Sequence, residues 1–358
     1  MSRFFDPSKR MLRPYKPGEQ LNDKKYIKLN TNESPFEASP LAVKAACGAA
    51  EELRLYPDPE AKDLNKALAE RFGVTPENVI SVNGSDEVLF FAFAAFCGKE
   101  TKAVFPDVTY GFYPVYASLL NVEYEEIPLL PDFTVDVKAF TKTKGTVFIA
   151  NPNAPTGVFL PLDGIREIVR SRPDDVVVVD EAYIDFGGDS AVSLVKEFDN
   201  LLVTGTFSKS RSMAGARLGF GIASKEIIKD LNTIRFSTNP YNVNRMTAAA
   251  GIMALKDESY MRKNAETIVR NREFVSRKLS EMGFYVTDSK ANFIFAKSPD
   301  IGGYELYAGL KERGILIRHF DTPARIADYN RITVGTADQM QALIDNIKEI
   351  LEEANEKG

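Results

Sequence analysis

Short apolar runs alternate with polar turns through the first two thirds of the chain. Residues 79–82, 103–105, 146–150, 176–179 and 201–203 are rich in valine, isoleucine, leucine and phenylalanine and too short for helices, so they predict strands. Four consecutive valines at 176–179 predict a strand covered on both faces. Between the strands the pattern turns helical. Ser39 and Pro40 supply an N-cap and a first helical residue for a helix to about residue 53, which Tyr56-Pro57-Asp58-Pro59 stops. A second helix is predicted over about 61–72 and ends at Gly73. A third, over 88–97, is apolar nearly all round and is expected to be buried. From 146 to 204 the order strand, helix (about 163–170), strand, short helix, strand predicts a parallel sheet with right-handed crossovers.

Beyond residue 257 the pattern changes. A long amphipathic helix is predicted over 257–282, ending at Gly283. Strands at 284–287, 291–296, 315–318 and 331–334 follow, with a helix over about 303–313, and Thr336 with Gln339 forms a capping box for the last helix. At the other end, residues 1–28 are polar, and Pro14-Tyr15-Lys16-Pro17-Gly18 excludes regular helix. The expected organisation is an N-terminal arm (1–28) packed on the small domain or on a partner subunit, a large domain (29–260) and a small C-terminal domain (261–358).

In parallel sheets of this kind ligands bind beyond the carboxyl ends of the strands. Residues that packing does not ask for fall there: Tyr110, Asn153, Asp180, Tyr183 and Lys209. Lys209 lies just past a buried strand, in T-F-S-K-S-R-S-M-A-G-A-R-L-G-F-G (206–221). A buried ammonium must be paired or lose its charge, and a neutral amine can form a Schiff base with an aldehyde. Thr206, Ser208 and Arg217 are spaced to face one phosphate, and the helix start at Gly84-Ser85-Asp86 offers free amides suited to an anion. A lysine beside a phosphate cradle is what pyridoxal phosphate (PLP) requires. Asp180, ending the valine strand, needs a cation or several donors. Taken singly, each residue has a purely structural alternative: Tyr110 as a core tyrosine, Asp86 and Glu87 as caps, Asn32 as an Asx turn, Tyr56 as apolar cover, Arg318 and Arg331 as surface ion pairs. The joint placement of Tyr110, Asn153, Asp180, Tyr183 and Lys209 at successive strand ends favours a site.

Composition narrows the choice. With 44% hydrophobic and 27% charged residues and a net charge of -5, the chain reads as an ordinary globular protein without the basic face that nucleic acid demands. His319 is the single histidine, which argues against histidine-based metal sites and Ser-His-Asp triads, and no metal is expected. Cys47 and Cys97 make no disulfide framework, and neither a signal peptide nor a run of about 18 apolar residues is present, so a cytoplasmic protein without a membrane span is expected.

The motifs P-Y-K-P-G, L-N-T-N-E-S-P, Y-P-D-P, N-G-S-D-E, N-P-N-A-P-T-G, V-D-E-A-Y-I-D-F, T-F-S-K-S through G-A-R-L-G, P-Y-N-V-N, A-N-F-I-F and R-I-T-V-G-T occur in that order. Through them the chain resembles PLP-dependent transferases of fold type I, the aspartate-aminotransferase fold, and more closely the histidinol-phosphate aminotransferases. The resemblance implies an α/β protein with a large, mostly parallel central sheet flanked by helices and a smaller α+β C-terminal domain. It implies that Lys209 holds PLP and carries the reacting proton, that Asp180 pairs with the pyridine nitrogen, that Tyr183 bonds the phenolic oxygen and that Tyr110 stacks on the ring. Gly84, Ser85, Asp86, Thr206, Ser208 and Arg217 would hold the phosphate, joined by Tyr56 from the neighbouring subunit of a homodimer. Arg331 would take the α-carboxylate of glutamate, with Tyr15, Asn32, Tyr56 and Arg318 also on the substrate. Relatives usually carry asparagine immediately before Pro-Thr-Gly, bonded to the phenolic oxygen; here that place is Ala154, and Asn153 is the candidate substitute. The implied reaction exchanges an amino group between L-histidinol phosphate and 2-oxoglutarate, giving imidazole acetol phosphate and L-glutamate in histidine biosynthesis. An aromatic amino acid aminotransferase and an amino-acid-phosphate decarboxylase of the same fold are the alternatives.

Overall fold

The computed structural model describes residues 2–10, 12–21 and 23–357. Its strands, in chain order, are β1 (Ile27–Lys28), β2 (Val79–Val82), β3 (Ala103–Pro106), β4 (Tyr124–Ile127), β5 (Thr146–Ala150), β6 (Val177–Asp180), β7 (Leu201–Thr206), β8 (Gly219–Ile222), β9 (Tyr285–Val286), β10 (Phe293–Lys297), β11 (Ile315–Leu316), β12 (Arg318–His319) and β13 (Asn330–Thr333). β2 to β8 form one sheet in the order β2-β8-β7-β6-β5-β3-β4, in which only β8 runs against its neighbours. The mostly parallel sheet implied by the sequence is therefore present. Its central strands are buried throughout, because helices cover both faces and the valine-rich runs have no solvated side.

The departures from expectation have local causes. The helix after β2 starts at Ser85 rather than near residue 88, because Gly84, at φ 81°, turns the chain straight from strand into helix. The first helix is regular over Pro40–Ala49 and tightens into a 3-10 turn at Ala50–Glu52. The short helix expected between β6 and β7 is two 3-10 turns, Ile184–Phe186 and Ala191–Leu194, separated by Gly187-Gly188. β4, β8 and the helices Tyr113–Leu120, Lys225–Thr238 and Arg245–Lys256 are further elements for which the sequence carries no strong periodic signal. β8 needs glycine for closeness: a Cβ at Gly219 would stand 2.2 Å from the Ser85 nitrogen.

A second core lies in the C-terminal part. The helix Glu258–Glu281 turns Met261, Ala265, Ile268, Val275 and Leu279 inward against Leu306, Leu310, Leu343 and Ile347. Each such leucine or isoleucine contributes about 1.5–3 kcal/mol by leaving water. The antiparallel sheet β12-β13-β10-β9 packs on this core. The arm is tied to the same part: β1 pairs in parallel with β11, and the Lys24 ammonium donates to the Glu312 carbonyl at 3.0 Å.

Candidate active site

The carboxyl ends of β2, β3, β6 and β7 open on a cavity of about 410 Å³, whose far wall is built by β12, β13 and the arm. Asp180 and Lys209 both line it. Asp180 is 5% exposed, and the only hydrogen bond to its carboxylate among the described residues comes from the Ala182 amide at 3.2 Å. Burial, with a smaller push from Asp86, raises its pKa to about 7. Its neighbour Glu181 makes a useful contrast. That carboxyl points away from the cavity and is locked by the Ser190 hydroxyl at 2.5 Å and the Ala191 amide at 2.6 Å. Alternation along an extended strand end thus separates a structural acid from one left short of donors.

Lys209 follows β7 in the loop that returns to β8. Its ammonium lies 3.4 Å from the Thr31 carbonyl and 5.8 Å from the centre of the Tyr183 ring. Burial first, then Arg331, lowers its pKa to about 8. The amine is therefore partly neutral near physiological pH, the condition for nucleophilic attack on an aldehyde.

Tyr183 is oriented by a chain that the sequence hides. Asn32 donates from Nδ2 to the Tyr183 hydroxyl at 3.0 Å, while Asn32 Oδ1 accepts from the Thr333 hydroxyl at 3.0 Å. The Asn32 amide donates to the Thr333 hydroxyl oxygen at 2.9 Å, and Asn292 donates to the Asn32 carbonyl at 3.0 Å. Because the Tyr183 oxygen accepts from Asn32, its own proton is free to be donated into the cavity. Asn32 holds φ 56°, a left-handed conformation that asparagine tolerates better than most residues.

Opposite this group is an anion cradle. Gly84 supplies no side-chain cap to the helix Ser85–Phe96, so the first amides and the positive end of the helix dipole remain available. Arg217, left-handed at φ 54°, brings Nη2 to within 2.7 Å of where a Cβ on Gly84 would sit. The Thr206 hydroxyl lies 2.9 Å from Ser208 Oγ and accepts from the Ser208 amide at 3.1 Å. Asp86 turns its carboxylate aside, accepting from the Tyr110 hydroxyl at 2.7 Å and from Arg217 Nη2 at 3.3 Å. That leaves its backbone amide for the anion.

Arg331 and Arg318 face each other across β12 and β13. Two directly opposed guanidiniums repel, an arrangement that packing alone disfavours. Arg331 donates to the Asn30 carbonyl at 3.1 Å, yet its buried Nε has no partner among the described residues. Arg318 spends its two terminal nitrogens on the arm, donating to the carbonyls of Lys16 at 3.0 Å and Pro17 at 3.2 Å. Tyr15 lines the cavity and stacks on Phe112 with ring centres 4.5 Å apart.

Two expected residues are placed elsewhere. Asn153 does not reach the cavity. Its amide nitrogen donates to the Val108 carbonyl and the Thr156 hydroxyl, both at 2.9 Å, and its oxygen accepts from Thr109 at 2.9 Å. With these bonds made to its own loop and to the loop after β3, it has no free group for a phenolic oxygen, and the wall at this point is Ala154. Tyr56 is 75% exposed, stacked on Tyr241 at 4.3 Å, and lies outside this chain's own cavity.

The family model described as aminotransferase class I and II matches residues 24–347. The chain belongs to the class I and II aminotransferases. Within this family it is similar to the histidinol-phosphate aminotransferase of Brachyspira hyodysenteriae, 46% identical over 353 residues that cover 98% of this chain and 99% of the relative. Its fold is shared with the histidinol-phosphate aminotransferase of Clostridium acetobutylicum (TM-score 0.85, 23% identity, 91% of this chain and 99% of that one). The enzyme from Sinorhizobium meliloti, solved in complex with pyridoxal-5'-phosphate, is similarly close (TM-score 0.84, 24% identity, 92% of each chain). The aminotransferase cavity described above fits PLP. Among the described residues Asp180 makes no ion pair, Gly84 lets Arg217 come close to the first amides of the helix, and Lys209, of lowered pKa, lines the same cavity.

Proposed function

We propose that this aminotransferase exchanges the amino group of L-histidinol phosphate with 2-oxoglutarate, using PLP, as a step of histidine biosynthesis. The observation that carries the reading is the pairing, in one cavity, of a donor-starved buried Asp180 with a partly neutral Lys209. When bound, PLP supplies an electron sink for the pair released from the substrate's Cα–H bond. The chain's own residues do the rest. Lys209 Nζ holds the cofactor at rest and then moves the proton at the substrate carbon. Asp180 would pair with the ring nitrogen and keep a proton there, which in turn would hold its own carboxylate ionised. Tyr183, aimed by Asn32, donates to the phenolic oxygen. Ser208, Thr206, Arg217 and the amides of Ser85 and Asp86 grip the phosphate, and Tyr110 covers the ring. Arg331, with its open Nε, takes the α-carboxylate of 2-oxoglutarate or glutamate, a group that L-histidinol phosphate lacks. Arg318, opposed to it, is placed for the phosphate of L-histidinol phosphate or the side-chain carboxylate of glutamate.

The substrate choice is tested by kcat/KM for a panel of amino donors with 2-oxoglutarate. Histidinol phosphate is expected to lead, and a preference for phenylalanine, or carbon dioxide release without an acceptor, would overturn it. Varying both substrates should give parallel double-reciprocal lines, because one amino group is stored between two half-reactions.

The same reading makes the enzyme a homodimer in which Tyr56 reaches the partner's phosphate site, consistent with its exposure in the single chain. Mixing Lys209→Ala and Tyr56→Ala chains should restore activity, since one site of the mixed dimer receives both native residues. Among the described residues no helix is long and apolar enough to cross a membrane. Cys47 and Cys97 are free thiols, a state that a reducing compartment preserves, and we place the enzyme in the cytoplasm.

A further inference from the structure

The arm is fastened to the C-terminal part at two neighbouring points. At the first, Arg318 grips the consecutive carbonyls of Lys16 and Pro17. At the second, Glu19 accepts from the Tyr307 hydroxyl at 2.5 Å and from the Lys311 ammonium at 2.8 Å, both on the helix Gly303–Glu312. Between them Gly18 passes so close to Thr31 that a Cβ would stand 2.6 Å from its methyl group. Tyr15, the last residue before these anchors, is the one laid on Phe112 at the cavity wall. The arm carbonyls also answer a charge problem. Arg318 stands directly across from Arg331, and the carbonyl dipoles of Lys16 and Pro17 are the negative ends that offset this repulsion at Arg318.

We propose that Arg318 is a positioning residue: it seats the N-terminal arm over the site, so that the anion pocket and the Tyr15 wall form together. Two of the five guanidinium donors are used on the arm, which leaves three for an anion. An anionic group bound there shares its cation with the arm, which ties the placing of Tyr15 to occupancy of the pocket. Lysine cannot substitute, because a single ammonium lacks the two-pronged geometry that holds consecutive carbonyls while still serving an anion. The kinetic consequence rests on the aminotransferase reading; the seating of the arm does not.

The chain contains no tryptophan, so Tyr15→Trp installs a single fluorescent reporter on the arm. In ligand-free protein, adding Arg318→Ala or Arg318→Lys should raise acrylamide quenching of the reporter about twofold or more, as expected for a segment released by local opening. In the otherwise native sequence, chymotrypsin should nick the Tyr15–Lys16 bond about fivefold faster after Arg318→Ala, with cleavage elsewhere unchanged. Glu19→Gln should act in the same direction with Arg318 intact. In kinetics, the loss of kcat/KM caused by Arg318→Ala should shrink by about threefold or more in a Tyr15→Ala background, because both changes remove one unit. Unchanged nicking at Tyr15–Lys16, or fully additive kinetic losses, overturns the proposal and leaves Arg318 as an anion ligand alone. Failure of the substrate assignment would leave the quenching and nicking results standing, so the two readings fail separately.

Discussion

Replacing Asp180 with asparagine should stabilise the cofactor-free protein and weaken the cofactor-bound one. The folded state raises this carboxyl from 3.8 to about 7, mainly by burial. At about 1.4 kcal/mol per pH unit, keeping it ionised in the folded chain above pH 7 costs roughly 4 kcal/mol. The sign follows from proton counting. Between about pH 4 and pH 7 the folded state holds a proton that the unfolded state has released, so stability falls as pH rises through this window. The penalty is absent below pH 4 and complete above pH 7. Asparagine keeps the oxygen that accepts from the Ala182 amide and carries no charge, so it removes the penalty without opening that hydrogen bond. Urea unfolding of cofactor-free protein should therefore find Asp180→Asn more stable than the parent at pH 8, by up to about 4 kcal/mol, and nearly equal at pH 4. With saturating PLP the order should reverse, because the parent carboxylate gains its cation and the amide does not. Equal stability of the two cofactor-free proteins at pH 8, or a difference that does not change with pH, would refute the view that this carboxylate is held short of partners for a ligand.

Three further outcomes are expected. Capture of PLP by the cofactor-free chain should quicken as pH rises through about 8, where Lys209 is half neutral, and level off about one pH unit higher; a rate still climbing steeply at pH 10 in stopped-flow absorbance would mean an ordinary lysine. Arg331→Ala should lower kcat/KM for 2-oxoglutarate by roughly 10- to 100-fold, the worth of charge-assisted hydrogen bonds of about 1.5–3 kcal/mol, and added guanidinium should recover part of it in steady-state assays. Asn32→Gly keeps the left-handed backbone but removes the amide that aims Tyr183, so the spectral titration of the bound cofactor should move upward by about half a pH unit or more.

Much of this was legible because burial on both faces leaves a mark on composition. The valine run ending in Asp180 announced both a central strand and a misplaced acid, and Lys209 announced itself by following β7. β8 left no such mark, since G-F-G-I reads as a turn, and its glycines serve contacts with Ser85 and with Ile80 and Val88 that are remote in sequence. Asn153 misled because its side-chain type suits a cofactor bond, whereas its bonding partners, Val108 and Thr109, lie about 45 residues away across the sheet. The aim of Tyr183 depends on Thr333 and Asn292, which no local pattern links to Asn32. Arg318 was readable as a substrate arginine, but its hold on the arm required the strand pairing that brings residues 16, 17 and 318 together.

The account turns on one amine and one carboxylate serving a single bound ring. Borohydride reduction of the PLP-loaded enzyme, followed by peptide mapping by mass spectrometry, tests it most directly. A single pyridoxyl adduct on Lys209, formed by the parent protein and lost in Lys209→Ala, is the predicted result. An adduct on another lysine, or one that survives Lys209→Ala, would contradict it.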